Sequence, residues 1–177
     1  ITCADLFAGK NKKRLHKRAD QNRKNPAMTN DSIKEFITQF QPSATFDETG
    51  EWLNILIDAA DWKPLAVQLR NEPNGYDYLF CLTCIDWKTH LTMVYHLSST
   101  AHRHTIVIKA KTDRTNPVIE TVSDIWKTAI FHEREVFELF GVHFTNHPDL
   151  RKLILTDDFE GYPLRKDFED PINMIKL

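Results

Sequence analysis

The stretch IFHEREVFELFGVHF, residues 130–144, decides how the second half of this chain folds. Its apolar residues recur every three or four positions, which predicts an amphipathic helix whose buried stripe begins just upstream. The stripe consists of Trp126, Ile130, Phe137 and Phe140. Glu135 and Glu138 are expected to point away from it. Gly141 is expected to end the helix, because glycine readily adopts the left-handed conformation that closes a helix.

Glu133 falls in the middle of this apolar stripe. A carboxylate on a buried face costs several kcal/mol unless it is paired and hydrogen-bonded. Such a residue is either a catalytic acid with a raised pKa or, as we favour here, one half of an internal ion pair. The neighbouring Arg134 points about 100° away around the helix. The expected partner is therefore Arg151 or Arg165, from the segment that follows the helix.

His132 and Glu133 form the His-Glu pair with which the zinc-binding motif of many proteases begins. That motif needs a second histidine four residues after the first. Here that position is Val136. His143 and His147 are also four residues apart, but the glycine before them and the proline after them argue against a helix in that segment. We expect no metal site, and an independent metalloenzyme that uses these two histidines is kept as an alternative.

Cys81 and Cys84 form a CxxC motif in the stretch YLFCLTCIDW, residues 78–87. A redox CxxC motif normally lies at a helix N-terminus, where the dipole lowers the thiol pKa. This one lies in an apolar strand pattern, and residues three apart in a strand point to opposite faces. We therefore expect buried, unreactive cysteines. With Cys3 the chain has three cysteines, too few for the four thiolates of a structural zinc or an iron–sulfur cluster.

Upstream of residue 118, apolar spacing and turn residues separate helices from strands. Helices are predicted at residues 29–40 and 58–72, and strands at residues 44–49, 51–58, 78–87, 91–99 and 104–112. Residues 118–141 have helical character, in one or two pieces. The order α-β-β-α-β-β-β-α predicts an α+β fold, with helices packed on a mainly antiparallel sheet.

The chain has 177 residues, which suits one domain, and contains no run of ~20 apolar residues that would span a membrane. Its first 27 residues hold eight Lys or Arg and two Asp, a basic block typical of a disordered tail or a nucleic-acid-binding arm. Because the composition changes at Met28, we expect translation to start there, with this leader being upstream sequence or an unrelated extension. We expect no nucleic-acid partner, and a nucleic-acid-binding protein acting through the leader is a further alternative.

Residues 142–177 show no long periodicity and are interrupted by prolines, so they cannot bury a core of their own. Their apolar residues are nevertheless too many for free solvent: Leu150, Leu153, Ile154, Leu155, Phe159, Leu164 and Phe168. The segment therefore either wraps its own domain or lies on a partner, and its element PLRKDF, residues 163–168, is suited to bind another subunit. The predicted organisation is a leader (1–27), an α+β domain (28–141) and a long extended C-terminal docking segment (142–177).

One set of residues in the second half forms a specific motif: Glu133, Arg134, Glu135, Glu138, Leu139, Phe140, His147, Arg151, Leu153 and Ile154. With PLRKDF further on, it resembles the family of the 30 kDa subunit (the C subunit) of respiratory complex I, the proton-pumping NADH:quinone oxidoreductase. Departures are mild, such as Asn146 before the His-Pro pair. The resemblance implies structural and partner-docking roles, and no catalytic role, for Glu133, Arg134, Glu135, Glu138, His147, Pro148, Arg151, Arg165, Lys166 and Asp167.

The resemblance also implies a cofactor-free subunit in the hydrophilic arm of that complex, on the cytoplasmic face of the bacterial inner membrane. Its main partner would be the 49 kDa-type D subunit, with other hydrophilic-arm subunits beside it. NADH, FMN, the iron–sulfur clusters and quinone would bind to other subunits, so this chain would belong to the enzyme without an active site of its own. The equivalent subunit of a membrane-bound nickel–iron hydrogenase or of a ferredoxin-linked dehydrogenase is the alternative, because the motif hardly separates these complexes.

Overall fold

The computed structural model describes residues 28–71 and 73–170. The basic leader and the last seven residues of the docking segment lie outside the described residues. The expectations that the leader is disordered and that translation starts at Met28 therefore stay predictions.

The described residues form three helices and seven strands. The helices are α1 (Asn30–Phe40), α2 (Ala59–Arg70) and α3 (Ala129–Phe140). The strands are β1 (Thr45–Asp47), β2 (Leu53–Asp58), β3 (Tyr78–Asp86), β4 (His90–Ser99), β5 (His104–Asp113), β6 (Val118–Glu120) and β7 (His143–Thr145). The helices and strands predicted upstream of residue 118 are all present.

Five strands form the main sheet, in the order β1-β2-β5-β4-β3. The hairpin neighbours β1–β2, β3–β4 and β4–β5 pair antiparallel, and β2 pairs with β5 in parallel. The parallel pair arises because α2 carries the chain across the sheet before β3, β4 and β5 return by short turns. The predicted α+β fold with a mainly antiparallel sheet is confirmed.

The prediction of helical character for residues 118–128 was wrong. Residues Val118–Glu120 form β6. This strand pairs in parallel with β7, the strand that follows α3 in the sequence. Between β6 and α3 the chain makes two short turns, and in the first the backbone N–H of Trp126 donates to the Val122 carbonyl at 2.9 Å. The apolar spacing that resembled a helix therefore reflects these turns.

The three helices pack on one face of the main sheet. The first helix begins at a capping box, in which the Thr29 hydroxyl accepts from the Ser32 N–H at 3.3 Å and the Ser32 hydroxyl accepts from the Thr29 N–H at 3.1 Å. Trp62 of α2 is fully buried, with its ring centroid 4.4 Å from that of Tyr95 on β4 and 6.1 Å from that of Trp126. These contacts join the helices to the sheet in one hydrophobic core.

The two cysteines of the CxxC motif point to opposite faces of β3, as predicted. Cys84 is buried in the core beside Leu82, whereas Cys81 is half-buried on the other face, and both are free thiols. Burial raises the pKa of Cys81 and raises that of Cys84 to about 12. Both side chains are therefore protonated at neutral pH, and a protonated thiol is a poor nucleophile.

Gly141 ends α3 in the left-handed conformation, with φ at 71°. A Cβ atom at this position would lie 2.5 Å from the ring of Tyr162, which packs over the helix terminus. The predicted helix terminator is confirmed, and it also makes room for the returning tail.

Gly141→Ala should lower the free energy of unfolding by at least about 1–2 kcal/mol, because a residue with a Cβ atom is strained in the left-handed region and its Cβ would also clash with the Tyr162 ring. The matched control is Gly50→Ala, where no positive φ is imposed and the nearest atom to an added Cβ lies 3.4 Å away. Urea unfolding of both variants measures the difference. Equal stability of the two variants would contradict this account of Gly141.

Candidate functional site

Glu133 is fully buried on the inner side of α3, where the β6–α3 connection folds back over it. Its Oε1 accepts a hydrogen bond from the Val122 N–H at 2.8 Å, and its Oε2 accepts one from the Thr121 hydroxyl. The predicted ion pair with Arg151 or Arg165 was wrong. Arg151 Nε donates to Asp149 at 3.0 Å, and Arg165 Nε donates to the Phe140 carbonyl at 2.7 Å.

Burial raises the pKa of Glu133 to about 7, although the hydrogen bonds from Thr121 and Val122 and the charge of Lys63 act in the opposite direction. His147 Nε2 lies 3.8 Å from Glu133 Oε2. The same nitrogen donates to the Ile130 carbonyl at 3.2 Å, and His147 Nδ1 accepts from the Asp149 N–H at 3.0 Å. This geometry requires the neutral imidazole, and burial lowers the pKa of His147 accordingly.

Arg134 and Glu138, one turn apart on α3, hold the segment that follows β7. Arg134 donates from Nε to the Arg151 carbonyl at 3.0 Å and from Nη2 to the Lys152 carbonyl at 2.9 Å. The Glu138 carboxylate accepts from three successive N–H groups, those of Leu153, Ile154 and Leu155, at 2.9–3.0 Å. We call this arrangement the Arg134–Glu138 clamp.

Glu138 points away from the apolar stripe of α3, as predicted, but its side chain is only 2% exposed. A helical wheel places it on the outer side of α3, but the returning chain covers that side. Burial alone would raise the pKa of Glu138, but the three N–H donors and Arg134 outweigh burial and lower it. The carboxylate is therefore charged at neutral pH.

The segment of residues 149–159, which we call the tail loop, is held by a third charged side chain, that of Lys152. Lys152 Nζ donates to the carbonyls of Thr156, Asp157 and Phe159 at 3.1, 3.0 and 2.7 Å. The loop leaves two aliphatic side chains in solvent, Leu153 at 41% and Ile154 at 66% exposure. The tail loop has no helix or strand, but side chains form hydrogen bonds to eight of its backbone groups. Leu153 and Ile154 are therefore exposed on a fixed backbone.

The PLRKDF element returns to its own domain. The Leu164 N–H donates to the Leu139 carbonyl at 3.1 Å, so that Leu164 and Arg165 satisfy the last carbonyls of α3. Beyond them, the Lys166 N–H donates to Asp86 at 2.9 Å. The sequence left open whether the tail wraps its own domain or lies on a partner. Residues 162–167 contact their own domain.

Asp86, at the end of β3, is the anchor for this return. Arg114 donates to both its oxygens at 2.9 Å and from Nη2 to Asp167 at 2.6 Å. The hydrogen bonds from Arg114 hold the pKa of Asp86 well below its usual value. Sequence reasoning missed Asp86, Arg114 and Lys152, because nothing in their local sequence distinguishes them from surface charges.

The predicted site residues thus fall into two groups in the structure, and two of them lie outside both groups. Glu133, Arg134, Glu138 and His147 converge on α3, with Arg151 contributing its backbone carbonyl. Arg165, Lys166 and Asp167 form a second group at the end of α3 and β3. Glu135 is half-exposed and Pro148 is exposed, outside these hydrogen bonds.

The described residues contain neither a metal-binding group of side chains nor a membrane-spanning helix. In residues 28–71 and 73–170, no group of three or more His, Cys, Asp or Glu side chains is placed to hold a metal ion. His147 in particular uses both ring nitrogens within the protein. No helix in the described ranges is both long and apolar enough to cross a membrane.

Residues 55–171 match the family described as respiratory-chain NADH dehydrogenase, 30 Kd subunit. A relative from Chlorobium phaeobacteroides, named as the C subunit of NADH-quinone oxidoreductase, is 33% identical over 143 residues, which cover 78% of this chain and 86% of the relative. The chain belongs to the 30 kDa subunit family of the respiratory-chain NADH dehydrogenase.

Some relatives are far longer than this chain. One from Phocaeicola vulgatus, named as the C/D subunit of NADH-quinone oxidoreductase, is 47% identical over 103 residues, which cover 57% of this chain and 20% of the relative. The chain thus spans about a fifth of the length of the C/D relatives that it matches. The solved structure of the membrane-bound sulfane sulfur reductase, an archaeal respiratory membrane complex, contains a similar chain with 26% identity and a TM-score of 0.67, covering 78% of this chain and 85% of that one.

Glu133→Gln should remove a pH dependence of stability. The pKa of Glu133 is about 7 in the folded chain against an ordinary 4.5, so the folded state keeps a proton that the unfolded state loses. The free energy of unfolding of the wild type should therefore fall as the pH rises from about 4.5 to about 7, by up to about 3 kcal/mol, and then level off.

Urea unfolding between pH 5 and pH 8 measures this effect as the difference between wild type and variant. The variant should gain on the wild type as the pH rises, because Gln stays neutral throughout. Glu135→Gln, at a half-exposed carboxylate of the same helix outside these hydrogen bonds, is the control for the exchange of Glu for Gln. A pH-independent difference between wild type and Glu133→Gln would show that Glu133 does not hold the proton.

Glu138→Gln should release the tail loop while leaving α3 folded. An amide offers one acceptor oxygen and brings an N–H₂ group against N–H donors, so hydrogen bonds worth about 1.5–3 kcal/mol each are weakened. Hydrogen exchange at the Leu153, Ile154 and Leu155 amides should accelerate at least tenfold. Glu135→Gln, on the same helix, should leave those amides unchanged, and unchanged exchange in Glu138→Gln would refute the clamp.

Proposed function

We propose that this chain is a cofactor-free structural subunit of the peripheral arm of NADH:quinone oxidoreductase, and that it docks on the 49 kDa-type D subunit through the tail loop. The observation that carries the proposal is the Arg134–Glu138 clamp, which holds Leu153 and Ile154 in solvent on a fixed backbone. Exposed apolar side chains on a preorganised backbone are what a protein interface requires, because little conformational entropy is lost on binding.

The clamp fits a docking role better than a catalytic one. The charged groups of Arg134, Glu138 and Lys152 form hydrogen bonds with backbone atoms of the same chain. Glu133 and His147 are buried side by side and closed off from solvent. Each of these groups shapes the loop or its base, so the part of the loop left for a partner is its aliphatic tip.

The names of the relatives support the D subunit as the partner. Relatives named as C/D subunits match this chain over about a fifth of their own length, which leaves ample length for a second subunit in the same polypeptide. Fusion keeps two binding parts at a high effective concentration and is compatible with parts that contact one another. We therefore assign the tail loop to the contact with the D subunit.

The proposed contribution to the reaction is positional. Flavin, iron–sulfur clusters and quinone would lie in companion subunits, and this chain would hold the quinone-reducing part of the arm in a fixed arrangement on the cytoplasmic face of the inner membrane. Loss of this chain would then lower the amount of intact complex rather than the chemistry of each centre.

A second candidate is the equivalent subunit of another membrane-bound respiratory assembly, such as a nickel–iron hydrogenase or a ferredoxin-linked dehydrogenase. It is favoured by the 26% identity and the TM-score of 0.67 to a chain in the sulfane sulfur reductase complex. Affinity purification of this chain from solubilised native membranes discriminates: co-purified flavin-binding NADH-oxidising subunits support the first candidate, and hydrogenase-type subunits without them support the second.

Ile154→Asp should reduce co-purification of the D subunit at least tenfold, because a carboxylate at an apolar contact must be desolvated without a partner. The matched control is Val67→Asp on α2, where an aliphatic side chain is 39% exposed outside the tail loop. Both variants should keep the thermal unfolding midpoint of the wild type within a few degrees. Full recovery of the D subunit with Ile154→Asp would remove the tail loop from the interface.

A further inference from the structure

The main sheet has a second face, on the side away from the helices. Alternate residues of each strand join the helix-covered core, and the residues between them point the other way, except at a β-bulge in β3 between Leu79 and Cys81, where the alternation shifts by one residue. Strand pairing aligns these side chains in three rows: Asn54–Val107–His96–Cys81, Leu56–Lys109–Val94–Thr83 and Asp58–Lys111–Thr92–Ile85. We call this the open face.

One end of the open face is aromatic. The rings of Trp52, Phe80 and His96 form a mutual cluster, with centroid distances of 6.1, 5.7 and 5.6 Å. Tyr78 extends the cluster, 6.0 Å from Phe80, and is 49% exposed. Burial lowers the pKa of His96, so its imidazole is neutral at physiological pH and adds to the apolar character of this end.

The other end of the open face is basic and concave. A cleft of about 270 Å³ lies across β1, β2, β5 and β4, and its lining includes Lys109, Lys111, His90, Thr92 and Thr45.

Two carboxylates lie near these lysines. Asp58 lines the same cleft, and the pKa of Asp47 is lowered mainly by hydrogen bonds from Thr49 and in smaller part by the charge of Lys109. Among the described residues, however, neither Lys109 nor Lys111 has a carboxylate oxygen within 4.0 Å of its Nζ. The two ammonium groups are therefore available to a carboxylate from outside the chain.

We propose that the open face is a second docking surface, which binds an acidic segment of another companion subunit. An aliphatic or aromatic side chain of that segment packs on the Trp52–Phe80–His96 cluster, and an Asp or Glu enters the cleft between Lys109 and Lys111. The inference rests on the proposed function, because it takes the chain to work inside a multi-subunit complex.

The charges select this occupant over the obvious rival. A second copy of the chain would bring its own Lys109 and Lys111 against the first pair, and like charges across an interface disfavour binding. An acidic partner pairs with the two ammonium groups instead. The aromatic end supplies the binding energy, since Trp and Tyr are the residues on which interfaces most depend.

Site-specific crosslinking in the native complex tests the inference. The photoreactive residue p-benzoylphenylalanine is placed at Thr83, exposed on the open face, and separately at Ile154 on the tail loop. The control position is Gln39, which is exposed on α1, on the helix-covered side of the sheet. The expected result is a crosslink from Thr83 to an Asp- or Glu-containing peptide of a companion subunit, a crosslink from Ile154 to the D subunit, and none from Gln39.

Other outcomes separate the two proposals. A crosslink from Ile154 alone overturns the second docking surface and leaves the proposed function standing. A crosslink from Thr83 alone keeps the open face as an interface and overturns docking through the tail loop. A crosslink from Thr83 to a second copy of this chain, or to a peptide without Asp or Glu, overturns the occupant proposed here.

A charge variant tests the basic cleft itself. Lys111→Glu should lower the crosslink yield from Thr83 about tenfold, because an attractive pair becomes a repulsive one in the bound state. Lys127→Glu changes an exposed lysine in the connection before α3 and should leave the yield unchanged. Equal yields from the two variants, both incorporated into the complex, would show that the cleft does not receive a carboxylate.

Discussion

The structure depends on one arrangement of charge, the pairing of Arg134 and Glu138 with the backbone of the tail loop. Every backbone N–H and carbonyl group that leaves water must find a partner, and a loop without helix or strand has no regular backbone ladder that supplies these partners. Arg134 takes carbonyls and Glu138 takes successive N–H groups from the adjacent stretch of chain. The long tail is thereby tied to α3, and its apolar tip is directed into solvent.

The three buried charged residues of α3 are compensated mainly by backbone and hydroxyl groups. Glu133 and Glu138 lie five residues apart on the same helix, yet their pKa values move in opposite directions. Glu138 receives three N–H donors beside Arg134, whereas Glu133 receives one N–H and one hydroxyl inside the core. The motif is therefore a set of hydrogen-bonding positions, in which each carboxylate has the protonation state that its surroundings impose.

Much of the fold could be predicted from the sequence. The alternation in β3, β4 and β5 and the spacing in α1 and α2 led to correct elements, because these segments are long enough to show a period. The three-residue strands β6 and β7 are too short for that, and the turn at Val122 resembles helical spacing. At the site, the burial of Glu133 was predicted correctly, but its partners and the burial of Glu138 under the tail loop were not. A helical wheel contains no information about a chain that returns from fifteen residues further on.

The sequence by itself determined the elements, the α+β class, the buried carboxylate on α3, the opposite facing of Cys81 and Cys84, and the family. Those properties follow from periodicity and from a motif, both of which are local. Only the tertiary structure decided which groups satisfy Glu133, where residues 149–167 run, and that Asp86 and Arg114 hold Lys166 and Asp167. These are contacts between residues up to 80 positions apart. They depend on how surfaces meet after folding, because a charged side chain can be stabilised by hydrogen bonds to any backbone group of suitable polarity that packing brings within reach.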